Sequence, residues 1–456
     1  MNIEKIRRKI QSNEARKQKI LTAKEYYANQ TEITYKGVTS KDSEDPIRRA
    51  DNRIGHNFHE ILVDEKTAYM FTYPVLFDID RNQELNEHVV EILGDDFERK
   101  IKNLCIEASN CGVAWIHYWI EELPEKRFKY EMVNAEEVIP IYDNGLERNL
   151  EAIIRVYTCY EEVEGQIEDQ AFTYVEYWTD TTMDRWRFFG NSCIGQQLNE
   201  EHIVHTLGVV PFIEFANNIK KQSDLDRYKN LIDLYNRVVS GFANDLEDIQ
   251  QIIYILENYG GQDLGEFLGD LKRYKAIKTE TDGVSNSSGG VKTLQIDIPV
   301  EARKVILEVL KKQIYESGQG LQQDVESVGN ASGVALKFFY RKLELKSGLL
   351  ETEFKTSFSL LIKAILKFLG VTEYKKITQT YTRNMISNDL EDAQIAQISI
   401  GTIPGKLVRR KHPWVEDPNE AEQLLEEEEK AYEEKRLTKY QDPYLEPGVG
   451  GEGSYE

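Results

Sequence analysis

Apolar residues recur along this chain at two periods, and the switches between them divide it. Residues 2–29 form a charged, helix-prone arm, and 30–51 read as polar loop. From 52 to 69, the spacing of Ile54, Phe58, Ile61 and Leu62 predicts a helix, followed by a strand-like run at 73–77. A second helix is predicted over 86–110, with Val89, Ile92, Leu93, Phe97, Ile101 and Leu104 on one stripe. Beyond Gly112 the period shortens. Aromatic and β-branched runs at 113–119, 128–133, 153–160, 172–178, 185–189 and 211–215 read as strands of an antiparallel or mixed sheet. These segments together predict an α+β region.

A long helical period then returns. Leu231, Tyr235, Val238, Phe242, Leu246, Ile249, Ile253 and Leu256 repeat at spacings of three and four, predicting one helix over 224–258. Such a rod would be roughly 52 Å long. Gly260-Gly261 ends it. A short amphipathic piece (264–271) and two strand-like runs (274–279 and 291–298) follow, linked by a Gly/Ser/Asn turn at 282–290. Pro299 sits where a second long helix, 300–323, should begin. The chain thus leaves along one rod, makes a small β-containing tip and returns along another. A small-residue loop, 327–332, then leads into a third long helix, 333–368. A strand at 376–383 and helices at 389–398 and 419–436 complete the pattern, and 441–456 is a Pro/Gly-rich tail.

Charge sharpens this picture. The 456 residues carry a formal net charge of −22, which argues against a broad nucleic-acid-binding surface. The third helix departs from that balance, with seven Lys/Arg against three Asp/Glu over 333–370. No apolar run approaches the roughly 20 residues needed to span a bilayer, and no signal core opens the chain. The reading is a soluble, intracellular protein. The four cysteines form no Cys-X-X-Cys pair and read as scattered reduced thiols.

Catalytic signatures stop short of completion. His59-Glu60 lacks the second histidine of a zinc-protease helix. His202 and His205 have the spacing of two metal ligands, without a third nearby. Gly289-Gly290-Val291-Lys292-Thr293 lacks a contiguous Gly-Lys-Ser/Thr and leads into a strand. No nucleophile, base and oxyanion site assemble, so neither a catalytic residue, a metal site nor a cofactor is expected. The pattern points to assembly instead, because a rod-tip-rod excursion cannot bury its apolar stripes alone. A closed ring of identical subunits supplies the missing neighbours.

Several stretches carry a family resemblance: Asn52-Arg-Ile-Gly-His-Asn-Phe58 leading to Tyr73-Pro-Val75, Val210-Pro-Phe-Ile-Glu-Phe-Ala-Asn-Asn218, Leu231-Ile-Asp-Leu-Tyr-Asn236, and Gly329-Asn-Ala-Ser-Gly-Val-Ala-Leu-Lys337. Ile400-Gly-Thr-Ile-Pro404 and the Asp417-Pro418 step before a Glu-rich helix fit as well. In order and spacing, over nearly the whole chain, these resemble the portal proteins of tailed bacteriophages, of the long-tailed type infecting Gram-positive bacteria.

The resemblance implies a homododecameric ring at one capsid vertex, the channel for packaging and ejecting double-stranded DNA. It implies a wing at 1–222, a stem at 223–259 and 300–324 and a clip at 260–299. A tunnel loop at 325–333, a long wing helix and strand at 334–384, a crown at 385–440 and a disordered tail at 441–456 follow. DNA contact without sequence readout is expected from Ser327, Val328, Gly329, Asn330, Ala331, Ser332, Lys337, Arg341 and Lys342. Clip docking is expected from Leu264, Phe267, Tyr274, Ile277, Leu294 and Ile296. The implied partners are the terminase large subunit, a head-tail adaptor, and the major capsid and scaffold proteins. The implied locations are the virion, and the host cytoplasm during assembly. The alternative is another ring-forming virion protein, an adaptor or scaffold, without a DNA channel.

Overall fold

The computed structural model describes residues 2–36, 50–122, 124–163, 168–193, 196–249, 253–257, 290–294, 299–321, 333–383, 389–399, 402–409, 415 and 418–440. Helix α1 (Ile3–Tyr27) starts at Asn2, whose side chain accepts the Glu4 N–H at 3.0 Å. After α2 (Glu32–Lys36) the chain enters α3 (Phe58–Phe71) by an extended approach. The helix predicted over 52–69 is therefore six residues shorter at its start. The reason lies on α6 (Lys229–Ile249). Its buried Asn244, Ser240 and Asn236 accept the backbone N–H of Asn52 (2.6 Å), Ile54 (2.9 Å) and His56 (3.2 Å). Two residues of extended chain advance about 6.6 Å and four residues of helix about 6 Å. The two repeats therefore stay in step, and helix side chains take the place of a partner strand.

Strand β1 (Leu76–Ile79), α4 (Gln83–Leu93) and α5 (Phe97–Cys111) follow. The single helix expected over 86–110 is two helices, divided at Gly94, whose φ of 75° lies in the left-handed region. Six of the expected strands are present. Strands β2 (Val113–Glu121), β3 (Arg127–Val133) and β9 (Phe212–Ala216) make an antiparallel sheet ordered β3-β2-β9. A second sheet is ordered β4-β5-β6-β7-β8, from β4 (Val138–Tyr142), β5 (Leu150–Glu161), β6 (Gln170–Trp178), β7 (Thr182–Phe189) and β8 (Gln197–Val204). The expected single sheet is thus at least two. The pattern passes over β4, which contains Pro140, and β8, an exposed edge rich in polar residues.

The rod predicted over 224–258 is shorter than its apolar repeat. A 3₁₀ turn at Leu225–Arg227 precedes α6, which ends at Ile249 after 21 residues, roughly 32 Å. Ile253–Glu257 is instead strand β10, paired antiparallel with β11 (Gly290–Leu294). Ile253, Tyr254 and Ile255 supply β-branched and aromatic side chains, and their positions happen to continue a helical spacing. The remaining predicted tip segments, 264–271 and 274–279, lie outside the described residues. Helix α7 (Val300–Gly318) begins one residue after Pro299, which is its N-cap rather than its first helical residue. Helix α8 (Gly333–Phe368) has the predicted bounds. Strand β12 (Ile377–Thr380) pairs antiparallel with β1 and is half the length expected.

The described residues fall into two units. The first comprises Met1–Gln322 and Lys342–Tyr381. Its main core sets Phe354, Phe358, Leu361 and Ile365 of α8 against Phe215 and Ile116 of the three-stranded sheet and Ile101 and Leu104 of α5. Burying each such side chain contributes about 1.5–3 kcal/mol. Ile6 of α1 packs on Ile154, Val175 and Phe188 of the five-stranded sheet. At the other end of α1, Ala23 and Tyr26 pack with Leu62, Tyr228, Ile232 and Ile314. The second unit, Gln323–Arg341 with Thr382–Glu456, contains helices α9 (Asp389–Ser399), α10 (Gly405–Arg409) and α11 (Pro418–Tyr440).

Candidate functional site

Helices α6 and α7 form an antiparallel pair. Arg227 donates to the Gln319 side chain at 2.8 Å, Ile232 and Ile314 share a core, and Arg303 reaches Asp245 and the face of Phe242. On α7 large apolar side chains remain uncovered in the single chain: Val305 is 57% and Val309 52% exposed, with Ile306 beside them. Residues spaced by four share a helix face, so this is a stripe and not scattered exposure.

The roots of this pair meet at a buried ionic cluster. Asp224, one residue before the turn that opens α6, receives Lys66 Nζ from α3 at 2.6 Å and Lys346 Nζ from α8 at 2.9 Å, both on Oδ2. Its Oδ1 accepts the Asn217 amide at 2.9 Å. The three charged side chains are 1%, 2% and 4% exposed for Lys66, Asp224 and Lys346. Lys66 also donates to Asn217 Oδ1 at 2.8 Å, and Lys346 to the Gly318 carbonyl, the last of α7, at 2.9 Å. One ammonium on α8 thereby holds the start of α6 and the end of α7 together. Burial alone would raise the Asp224 carboxyl, but the two ammonium groups hold it far below the ordinary carboxylate range. Burial, with Lys66 and Arg227 adding repulsion against the pull of Asp224, pushes Lys346 down to about 8.

Backbone geometry places these groups. The Asp224 and Asn217 N–H groups donate to the Ser109 and Gly112 carbonyls at 2.8 and 2.9 Å. Gly112 has φ of 80°, and a Cβ there would lie 2.3 Å from the Lys221 carbonyl oxygen, so only glycine fits. At Gly318 a Cβ would come within 2.6 Å of Leu62 Cδ1, so its missing side chain lets the end of α7 close on α3. The sequence reading did not find this cluster. Lys66 and Lys346 sit on helical patterns among other charges, and only the fold brings them to one carboxylate.

The structure describes few of the residues expected to touch DNA or docking partners. Ser327, Val328, Gly329, Asn330, Ala331 and Ser332 lie outside the described residues, as do Leu264, Phe267, Tyr274, Ile277 and Ile296. Lys337 is in the first turns of α8, Arg341 is exposed, and the exposed Lys342 approaches Glu316 at 3.8 Å. Leu294 ends β11 opposite Ile253. His202 pairs with Asp184 at 2.5 Å, and His205 Nε2 lies 3.2 Å from the Thr179 carbonyl. His59 is buried with Nδ1 2.7 Å from the Tyr228 hydroxyl, and burial lowers its pKa to about 4. Among the described residues no cluster of His, Cys, Asp or Glu has metal-site geometry. The four cysteines are unpaired.

The first unit is thus a mixed α+β fold in which an antiparallel helical pair and a long helix meet at one buried ionic cluster. Comparison with known proteins gives its family: residues 6–435 match the model "Phage portal protein, SPP1 Gp6-like", and the chain belongs to that family. It is 66% identical over 437 residues to the portal protein of Clostridium phage phiCD119, covering 94% of this chain and 97% of the relative. It is 31% identical over 405 residues to the portal protein of Bacillus phage SPP1, covering 85% of this chain and 78% of the relative. Among solved structures, a chain from the neck of an empty GTA particle computed with C6 symmetry matches at TM-score 0.43 and 11% identity, covering 78% and 89% of the two chains. The chain is thus a portal protein, a structural, non-enzymatic virion component for genome packaging. Among the described residues no helix is long and apolar enough to cross a membrane.

Proposed function

We propose that twelve copies close into a ring whose channel passes double-stranded DNA inward during packaging and outward during ejection. In this reading 1–222 and 334–384 form the wing, the α6–α7 pair the stem and 260–299 the clip. Residues 325–333 form the tunnel loop and 385–440 the crown. The observation that carries it is the antiparallel pair with its uncovered stripe at Val305, Ile306 and Val309, which identical neighbours would cover.

Charge supports a sliding contact. Twelve chains at −22 give −264, a wall that repels phosphate and does not trap it. DNA is touched locally, by the small polar residues of 327–332 and by Lys337, Arg341 and Lys342 behind them. The clip docks the terminase large subunit and later the head-tail adaptor, and capsid and scaffold proteins surround the ring. The test is packaging by assembled particles carrying Asn330→Ala or Lys337→Glu. Reduced yield of DNA-filled heads is expected; unchanged packaging in both would remove the DNA-contact assignment.

A further inference from the structure

The two edges of the five-stranded sheet carry opposite chemistry. At the β4 edge, the start of α1 and the β4–β5 turn enclose a cleft of about 420 Å³, lined in part by Lys9, Tyr142, Asp143 and Arg148. Lys5 lies one turn before Lys9 on α1 with Arg8 between them, and all four cations are exposed. Glu4 is taken by Arg7 at 2.7 Å, and among the described residues no ion pair reaches Lys5, Arg8, Lys9 or Arg148. The turn supplies two carboxylates, Glu147 and Asp143, and Asp143 is occupied by the Gly145 and Asn149 N–H groups at 3.0 and 3.1 Å. Arg148, at a left-handed φ of 52°, lies 6.0 Å from the Tyr142 ring. Leu146, at the tip of the turn, is fully exposed. This edge takes no added strand, because Pro140 has no N–H and Arg16 holds the Val138 carbonyl at 2.8 Å. Its contacts are made by side chains.

The β8 edge is the complement. Among the described residues no strand pairs with its outer side. Leu198, Ile203 and Val204 are exposed, Val204 by 68%. Glu200 is exposed and has no ion pair among the described residues, and Glu201 comes only within 3.6 Å of Arg185. The edges stand four strand spacings apart, about 19 Å, so the two patches of one chain do not meet.

We propose that the β8 edge of one copy docks against the β4 edge of the next, with Glu200 between Lys9 and Arg148 and Leu146 packed on Leu198, Ile203 and Val204. A head-to-tail contact of this kind joins two different patches on opposite sides of a subunit, which is what a ring of identical chains requires. Each copy carries −22, so copies repel at long range and local pairing of opposite charges sets which surfaces meet. The contact deepens the ring reading and rests on it, and it is separate from the α7 stripe.

The test is a charge swap on the full chain, read by sedimentation. Arg148→Glu and Glu200→Arg should each raise, about tenfold or more, the protein concentration needed for closed oligomers, and the double variant should recover it. Net charge alone predicts otherwise, since the first change makes the chain more negative and the second less. Both sites are exposed, so circular dichroism should stay unchanged. In parallel, one chain carrying Leu146→Cys and Val204→Cys is treated with a bismaleimide, and it should give a ladder of linked chains that neither single variant gives. Rings indifferent to both reversals, or a double variant no better than the singles, would overturn the proposal. Weaker capture of a DNA duplex by Arg148→Glu with rings intact would assign the cleft to phosphate and overturn it too. A ladder without closed oligomers would uphold the contact and count against the ring, whereas closed oligomers without a ladder would do the reverse.

Discussion

Asp224 decides the charge balance of the first unit. Asp224→Asn removes the only anion touching Lys66 and Lys346 among the described residues and leaves two buried cations facing each other. Stability should fall by about 3–5 kcal/mol, seen as a lower urea midpoint. Lys66→Met leaves Lys346 and Asp224 matched and should cost well under that. The pH dependence follows from the same shift. Because the folded carboxyl sits far below its ordinary value of about 3.9, its stabilisation is complete above that pH and is lost as the pH falls below it. His59 and His117 act earlier. Burial lowers both to about 4, so between about 6.5 and 4 the unfolded chain takes protons that the folded chain refuses. Stability should decline on acidification through that window. His117→Phe should flatten part of the decline in urea unfolding at pH 7.5, 6 and 5; an unchanged slope would contradict the assignment.

At the scale of elements, the strap from Asn52 to His56 depends on α6 side chains, not on strand pairing. Asn236 accepts from His56 N and approaches His56 Nδ1 at 2.9 Å, and it donates to Thr31 Oγ1 at 3.1 Å. Asn236→Ala should cost about 1–3 kcal/mol and increase proteolysis within 50–57 before the sheets open. The strap also shows where sequence reading stops. Ile54, Phe58, Ile61 and Leu62 give a helical spacing, yet three donors on this segment are satisfied by residues about 180–190 positions away. Similarly, Ile253 and Leu256 continue the α6 repeat, and pairing with Gly290–Leu294 makes them strand. Long-range hydrogen bonds overrode local period in both places. Where packing and period agreed, as along the apolar face of α8, the bounds were legible to the residue.

At the scale of the molecule, the order of rods, tip and third helix carried the family, and the match over 6–435 agrees with it. The buried cluster was invisible at that scale, because a lysine on a helix reads as surface until the fold is known. The uncovered α7 stripe makes a prediction about assembly. Val305→Asp with Val309→Asp should leave the circular dichroism of the chain unchanged while abolishing closed oligomers in sedimentation. The central claim is the ring itself, and electron microscopy of the purified protein tests it most directly. The account predicts closed, turbine-like rings with a central channel wide enough to pass a DNA duplex; monodisperse monomers, or rings closed at the centre, would contradict it.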